Sequence, residues 1–325
     1  LHGLLSNDVE GLVDGEARPA LILDAKGHIQ VDLRVRRDGA DAFTLIAPAA
    51  LGTRVAELLE QYHCSEDLAL LGPEEVEVLT AEGVAAAAAA PAQIVLAGRL
   101  PGTLDLVVDD ADATIAALGV PEVPADALEM ARIAAGVPSV GVDTGPSTLV
   151  QEVGLQDEAV SFDKGCYLGQ ETVARVRYRG RVNRVLRGLA LGAEPAPPGA
   201  VVRADGREVG RLTSVAVTPD LGAIALAVLR HEVPPGAAVD VEGASEPARV
   251  VPLPSPPARA RTPGGPSCLT TSSAISPWSA VSATLVRLPT PRPSSLMTAP
   301  CRAPPPPPPR TRSSLSALPP PPTLP

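Results

Sequence analysis

The sequence predicts an α+β protein: a mixed body of helices and strands, a small all-β unit after Arg184, and a tail that stays out of the fold. Three observations predict it. Before Arg184, strand-like runs between turn residues alternate with segments whose apolar residues recur at three and four. After Arg184, short apolar runs are split by Asp-Gly, Pro-Gly and Pro-Asp-x-Gly turns, the spacing of a small barrel or sandwich. From Pro256 onward there is no Asp, Glu, Lys, Asn or Gln, and proline and serine dominate.

Residues 17–48 read as three strands with turns at Ala25-Lys26-Gly27 and Asp38-Gly39. Residues 49–64 read as a helix, because Val55, Leu58, Leu59 and Tyr62 repeat at helical spacing. Residues 67–81 and 93–109 suggest further strands. The run Ala85–Ala90, closed by Pro91, reads as a low-complexity spacer. Residues 125–141 form a second helix, ended by Gly136 and Pro138. Beyond Arg184, residues 185–192, 199–217 and 222–230 supply the short strands of the all-β unit.

Composition excludes several function classes. The 325 residues are 45% apolar and 20% charged, enough for an ordinary core. Aromatics are only 2%, so a platform for stacking bases is missing. The chain carries −10, and the seven arginines of the tail contribute +7, so the body before it stands at −17. Direct nucleic-acid binding is disfavoured on both counts. The four cysteines, Cys64, Cys166, Cys268 and Cys301, form no C-x-x-C pair, and there are only four histidines. No metal site is expected, and a reducing cytoplasm is the simplest setting. No apolar run reaches the roughly 18–20 residues that span a bilayer.

The tail cannot bury enough surface to offset its ordering entropy, so residues 254–325 are expected to be disordered. Its lack of acids and lysines fits a GC-rich gene read out of frame better than a genuine extension.

One segment concentrates chemistry. "SFDKGCYLGQETVARVRYRGRVNR", residues 161–184, places Cys166 between Lys164, Gly165 and a polar Gly169-Gln170-Glu171. A nearby lysine or a helix start would make the thiol reactive; a buried, inert cysteine is the competing reading. Gly169-Gln170-Glu171 opens a helical turn or bends into the next strand. Arg175, Arg177, Arg179 and Arg181 alternate with other residues. On a strand that period puts all four guanidiniums on one face, either solvated or facing an anionic ligand. Glu171 would then accept from an amino-heterocycle.

These residues carry a resemblance. "KGCYLGQE" at 164–171, followed by "RGRVNR" at 179–184, resembles the signature of the YgfZ family, folate-binding proteins related to the glycine-cleavage T-protein (aminomethyltransferase). "LHGLLSNDVEGL" at 1–12 resembles the family's N-terminal helix and following loop. "LILDAKGHIQVDL" at 21–33 resembles its first hairpin, residues 131–155 the segment leading to the signature, and residues 206–230 its C-terminal barrel.

The resemblance implies an aminomethyltransferase-like folate-binding fold: two mixed α/β units and a C-terminal small β-barrel around an opening for tetrahydrofolate. It implies a folate-binding region over 1–184, with an N-terminus that looks truncated against the family, then a barrel over 185–253. By position, Lys164 and Cys166 are the catalytic or reactive candidates. Asp32, Gly169, Gln170, Glu171 and Arg175 are the folate-binding candidates, with Asp32 standing where aminomethyltransferases carry an aspartate beside the folate nitrogen. Where those enzymes grip the pterin with the glutamate of R-x-E-A-G, this chain reads "RIAAG", with Ala134 at that position. The loss argues against glycine-cleavage activity. The function implied is a cytoplasmic, monomeric, tetrahydrofolate-binding accessory protein for iron–sulfur cluster assembly or repair, indirectly supporting tRNA modification. Its partners would be folate and iron–sulfur proteins or their assembly factors. The alternative is a one-carbon (aminomethyl) transferase.

Overall fold

The computed structural model describes residues 1–63, 69–82, 91–119 and 122–253, together with the backbone of 278–286. The alanine run, Cys64, Cys268, Cys301 and most of the tail lie outside the described residues.

Three strands form the expected meander: β1 (Ala17–Leu23), β2 (Ile29–Arg37) and β3 (Ala42–Pro48), all antiparallel. Asp24 builds the first turn. Its Oδ1 accepts from the amides of Lys26 and His28, both at 2.8 Å. Strand β2 shows why its sequence alternates. Val31, Leu33 and Val35 point to one face and pack with Val55, Leu58 and Leu59 of helix α1 (Gly52–Tyr62). Asp32 and Arg34 point to the other face.

The next elements are β4 (Ala69–Leu70), β5 (Glu74–Glu82), β6 (Ile94–Ala97) and β7 (Thr103–Val108). Helix α2 (Ala111–Leu118) follows, which the sequence reading overlooked. Its ends are nonetheless encoded. The Asp110 side chain accepts from the Ala113 amide, and Gly119 closes the helix in the left-handed region at φ 62°. Helices α3 (Ala125–Ala134) and α4 (Gln156–Ala159) flank an irregular stretch. The family resemblance implies an N-terminal helix. Residues 1–12 instead form turns, and Leu5 bridges Ile22 at the edge of β1.

A further strand, β14 (Trp278–Val286), lies between β3 and β5, giving the sheet order β1-β2-β3-β14-β5-β7-β6 with β4 beside β14. The tail was expected to be disordered as a whole. These nine residues form a strand instead, in the proline-free interval between Pro277 and Pro289, and the rest of that expectation lies outside the described residues.

The structure settles the element that carries the arginines. Of the two readings, a helical turn or a bend into a strand, the helix holds as α5 (Gln170–Arg179), so Arg175, Arg177, Arg179 and Arg181 do not share one face. A strand would have buried the residues between them, yet Tyr178 is 69% exposed. The buried contact comes from Val173, and Glu171 in the first turn and Arg177 and Arg179 in the last complement the helix dipole.

After α5, six strands close a barrel in the order β10-β11-β8-β13-β12-β9. They are β8 (Arg184–Gly192), β9 (Val201–Ala204), β10 (Arg207–Thr218), β11 (Gly222–Arg230), β12 (Ala238–Val241) and β13 (Ala248–Val251). Asp205 and Gly206 join β9 to β10 with φ of 50° and 75°, the paired positive values of a tight hairpin turn.

The barrel has its own core. A second core joins it to the rest: Leu21, Leu23 and Ile29 meet Ile133, Tyr167, Val173, Leu186 and Leu226. Polar chemistry fixes the same junction. Arg132 of α3 donates to Asp143 Oδ2 at 2.7 Å and to Ser214 Oγ of β10 at 2.7 Å. Asp143, 1% exposed, also accepts from Ser214 at 2.7 Å. Asp143→Ala leaves Arg132 buried with only Glu129 as its charged partner. Breaking a buried pair costs about 3–5 kcal/mol, and the remaining carboxylate places this variant near 3. Urea unfolding should show a lower midpoint at unchanged slope; a wild-type midpoint would refute this role.

Candidate functional site

The concave face of the sheet, helix α3 and the stretch around α4 enclose a cavity of about 110 Å3. Its wall is largely apolar, with Leu21, Ile46, Val78, Leu96, Val107, Leu128 and Leu155 among the lining side chains. Its polar groups are charged and paired across the sheet. Arg34 Nη1 donates to Asp105 Oδ2 of β7 at 2.6 Å, and Asp105 Oδ1 accepts from Thr80 of β5 at 2.8 Å. Arg99, from the turn between β6 and β7, sits 2.5 Å from Asp32 Oδ2 and donates to the Pro138 carbonyl at 3.2 Å. Burial works against the Arg99 charge, but Asp32, with Glu158 and Asp105, more than offsets it and raises the guanidinium above its ordinary value. Glu129 and Glu158 complete the lining carboxylates, and Arg132 holds Glu129.

Two side chains of the lining each carry one atom left over. Asp32 Oδ1 and Arg34 Nη2 are buried and have no hydrogen-bond partner. Both groups stand on the same face of β2, each tied through its other arm. Of the residues singled out in the sequence, only Asp32 lines the cavity. Ala134, the position of the missing pterin-gripping glutamate, is exposed at the last turn of α3 and does not line it. Acidic groups reach the cavity instead from Glu129 and Glu158. Arg34, Arg99, Asp105 and Glu129 were missed for a plain reason. Polar residues alternating with apolar ones on a strand look like a solvent face, and nothing local says that the face is enclosed.

The 164–171 segment lies outside the cavity and works on the chain behind its wall. Lys164 Nζ donates to the carbonyls of His2, Leu5 and Asn7 at 2.5, 2.6 and 3.0 Å. It also sits 5.3 Å from the Tyr167 ring centre. The stretch it holds carries Ser6, whose hydroxyl donates to the Ala159 carbonyl and accepts from the Leu21 amide. Leu21 and Ala159 line the cavity. Burial pushes the Tyr167 hydroxyl up to about 12, so its ring serves as packing.

Gly169 has a conformational task. Its φ is +81°, and a Cβ there would lie 2.5 Å from the Asp24 carbonyl oxygen and 3.0 Å from Gly27 Cα. Two glycines thus let α5 start directly against the β1–β2 turn. The Gln170 amide hydrogen-bonds the Tyr167 carbonyl at 3.2 Å, while Glu171 and Arg175 are exposed. Arg177 stacks on Phe162 at 4.0 Å and faces Asp157 at 3.8 Å. Cys166 is a free, exposed thiol, which removes the reading of a buried, inert cysteine.

The geometry agrees with what is similar to this chain. The glycine cleavage T-protein C-terminal barrel domain matches residues 184–255. The crystal structure of glycine cleavage system aminomethyltransferase T from Bartonella henselae superposes with a TM-score of 0.63 at 21% identity, covering 78% of this chain and 80% of that one. The fold is therefore the aminomethyltransferase-like fold. A Klebsiella pneumoniae protein named tRNA-modifying protein YgfZ is 31% identical over 221 residues, 61% of this chain and 67% of its own length. The chain belongs to the YgfZ family. Its reach over two others is smaller: it spans 64% of a Haemophilus influenzae protein and 20% of a chloroplast protein from Arabidopsis thaliana.

Lys164 makes the segment testable by pH. Burial lowers its pKa to about 8, against the pull of Asp8 and Glu10, from an ordinary value of 10.5. Between those values the unfolded chain binds the extra proton, so this group's contribution to stability rises with pH. It is fully present above the ordinary value and lost as pH falls through the folded one. Lys164→Met removes that increment. Denaturant unfolding at about pH 7 and about pH 9.5 should show the wild type gaining on the variant at the higher pH. A constant or shrinking difference would contradict the assignment.

Proposed function

We propose that this chain is a tetrahydrofolate-binding accessory protein for iron–sulfur cluster assembly or repair, and so supports tRNA modification indirectly. The observation that carries folate binding is the cavity. Its wall is largely apolar, and Asp32, Arg34, Asp105 and Glu129 give it a few placed polar groups. A flat heterocycle with amine and carbonyl edges fits that lining, which is apolar with a few charged groups. Asp32, Arg34 and Glu129 would hold the ring; tetrahydrofolate, when bound, supplies a carrier of one-carbon units.

Cys166 supports the accessory role. It is exposed and stands outside the cavity, where a protein partner reaches it more readily than the folate does. The relatives named tRNA-modifying protein YgfZ point the same way. The placement of Asp32 in the cavity favours a second reading, one-carbon transfer with Asp32 as the polar group beside a folate nitrogen.

Calorimetric titration separates these parts. Asp32→Ala should weaken tetrahydrofolate binding about tenfold or more. Cys166→Ser should leave it within about twofold, because the thiol lies outside the cavity. In cells, Cys166→Ser should lower the activity of a cluster-dependent enzyme. Normal cluster-enzyme activity would remove the thiol from the account. A flat one-carbon transfer assay with folate bound would reject the transferase reading.

A further inference from the structure

Between Glu171 and Glu194 the chain carries six arginines and no acidic residue. Arg175, Arg177 and Arg179 lie on α5, Arg181 in the link that follows, and Arg184 opens β8. All five are exposed. Arg177 has a carboxylate neighbour, Asp157 at 3.8 Å. Arg175, Arg179, Arg181 and Arg184 have none among the described residues. The barrel adds Arg230 at the same place. Arg184 of β8 stands directly opposite Arg230 of β11, and beside them the His231 amide donates to the Asn183 carbonyl at 2.9 Å. Like charges facing each other across a ladder repel. Glu232 lies 3.7 Å from Arg230, but both side chains are more than half exposed, so water screens the pair. Tyr178, 69% exposed, stands in the midst of this positive run. Self-repulsion of this kind costs stability until an anion covers it.

We infer that the C-terminal half of α5 and the Arg184–Arg230 rung form a docking surface for an acidic segment of a protein partner. Arginine forks take carboxylates through two bonds, and Arg and Tyr are among the side chains that carry most binding energy where proteins meet. A protein segment fits better than a nucleic acid. A short acidic segment ends where the patch ends, whereas a polyphosphate runs on over a strongly acidic body. The run also holds one aromatic residue, Tyr178, too few to stack successive bases. Helix α5 is about 15 Å long, so a partner seated here also reaches Cys166, which is exposed just before the helix begins. The inference gives the partner of the accessory reading a chemistry, and rests on that reading only for what the partner does.

The test uses the full chain and two labelled probes of similar charge, deca-glutamate and deca-uridylate, read by fluorescence anisotropy. Deca-glutamate should bind at about 50 mM salt and weaken severalfold by about 200 mM, because the charges are exposed. Arg179→Glu should weaken it about fivefold or more. Arg54→Glu makes the same charge change on α1 and should stay within about twofold. Arg184→Glu gives the same comparison if Arg179→Glu does not fold. No binding of deca-glutamate at the lower salt, or equal loss in the α1 variant, would overturn the inference. Tighter binding of deca-uridylate would also overturn it, by making the partner a nucleic acid. So would salt-sensitive self-association in sedimentation that Arg179→Glu abolishes, since the acidic segment would then belong to a second copy. In cells, Arg179→Glu should lower the activity of a cluster-dependent enzyme as Cys166→Ser does. A loss with Cys166→Ser alone would overturn the docking surface and leave the accessory role. Peptide binding at this surface with neither variant felt in cells would overturn the accessory role and leave the surface.

Discussion

A single ammonium group ties the first residues of the chain to the 164–171 segment. Lys164 bonds the carbonyls of His2, Leu5 and Asn7, more than 150 residues earlier in the chain. Those carbonyls have no helix or sheet ladder to satisfy them, and a buried carbonyl must find a donor. Lysine supplies three N–H groups at one point, which no neutral side chain does. Once this stretch is held, Ser6 is fixed between the Leu21 amide and the Ala159 carbonyl, and Asn7 reaches the carbonyls of Pro19 and Glu158. All four of those partners belong to residues that line the cavity. The signature lysine therefore shapes a pocket that it does not enter.

The cavity survives because its charges are paired across the sheet rather than along a strand. Arg34 of β2 meets Asp105 of β7, although several strands separate them in the sheet order. Arg99 reaches Asp32 from the β6–β7 turn and touches the loop after α3. Such contacts require the sheet to curl, so the ion pairs and the concavity imply each other. A buried pair is weak as a source of stability, since desolvation offsets much of the attraction. Its value here is geometric. It holds Asp32 and Arg34 at fixed positions in the cavity lining.

The barrel is docked by the same kind of chemistry. Arg132 and Asp143 come from the helix and loop that build the cavity, and Ser214 from β10 of the barrel. Arg132 also holds Glu129 at the cavity wall. One guanidinium thus connects the seating of the barrel to the placement of a lining carboxylate.

The sequence by itself determined the strands of the first meander, the helix after them, the barrel strands β8 to β11 and the family. Those features rest on local periodicity, turn residues and one specific octapeptide, and each is written over a few adjacent positions. It also brought out Lys164, Cys166 and Asp32 as residues of interest. It left the element carrying the arginines open, because period two alone does not tell a strand from a helix whose exposed side is charged. Only the tertiary structure decided that Asp32 and the signature stand in different places, that Arg34, Arg99, Asp105 and Glu129 share a cavity with Asp32, and that Gly169 lies against Gly27. Those facts depend on contacts between residues far apart in the chain. Whether the polar face of β2 meets water or other side chains is set by how the sheet curls and what packs across it, and no window of sequence contains that.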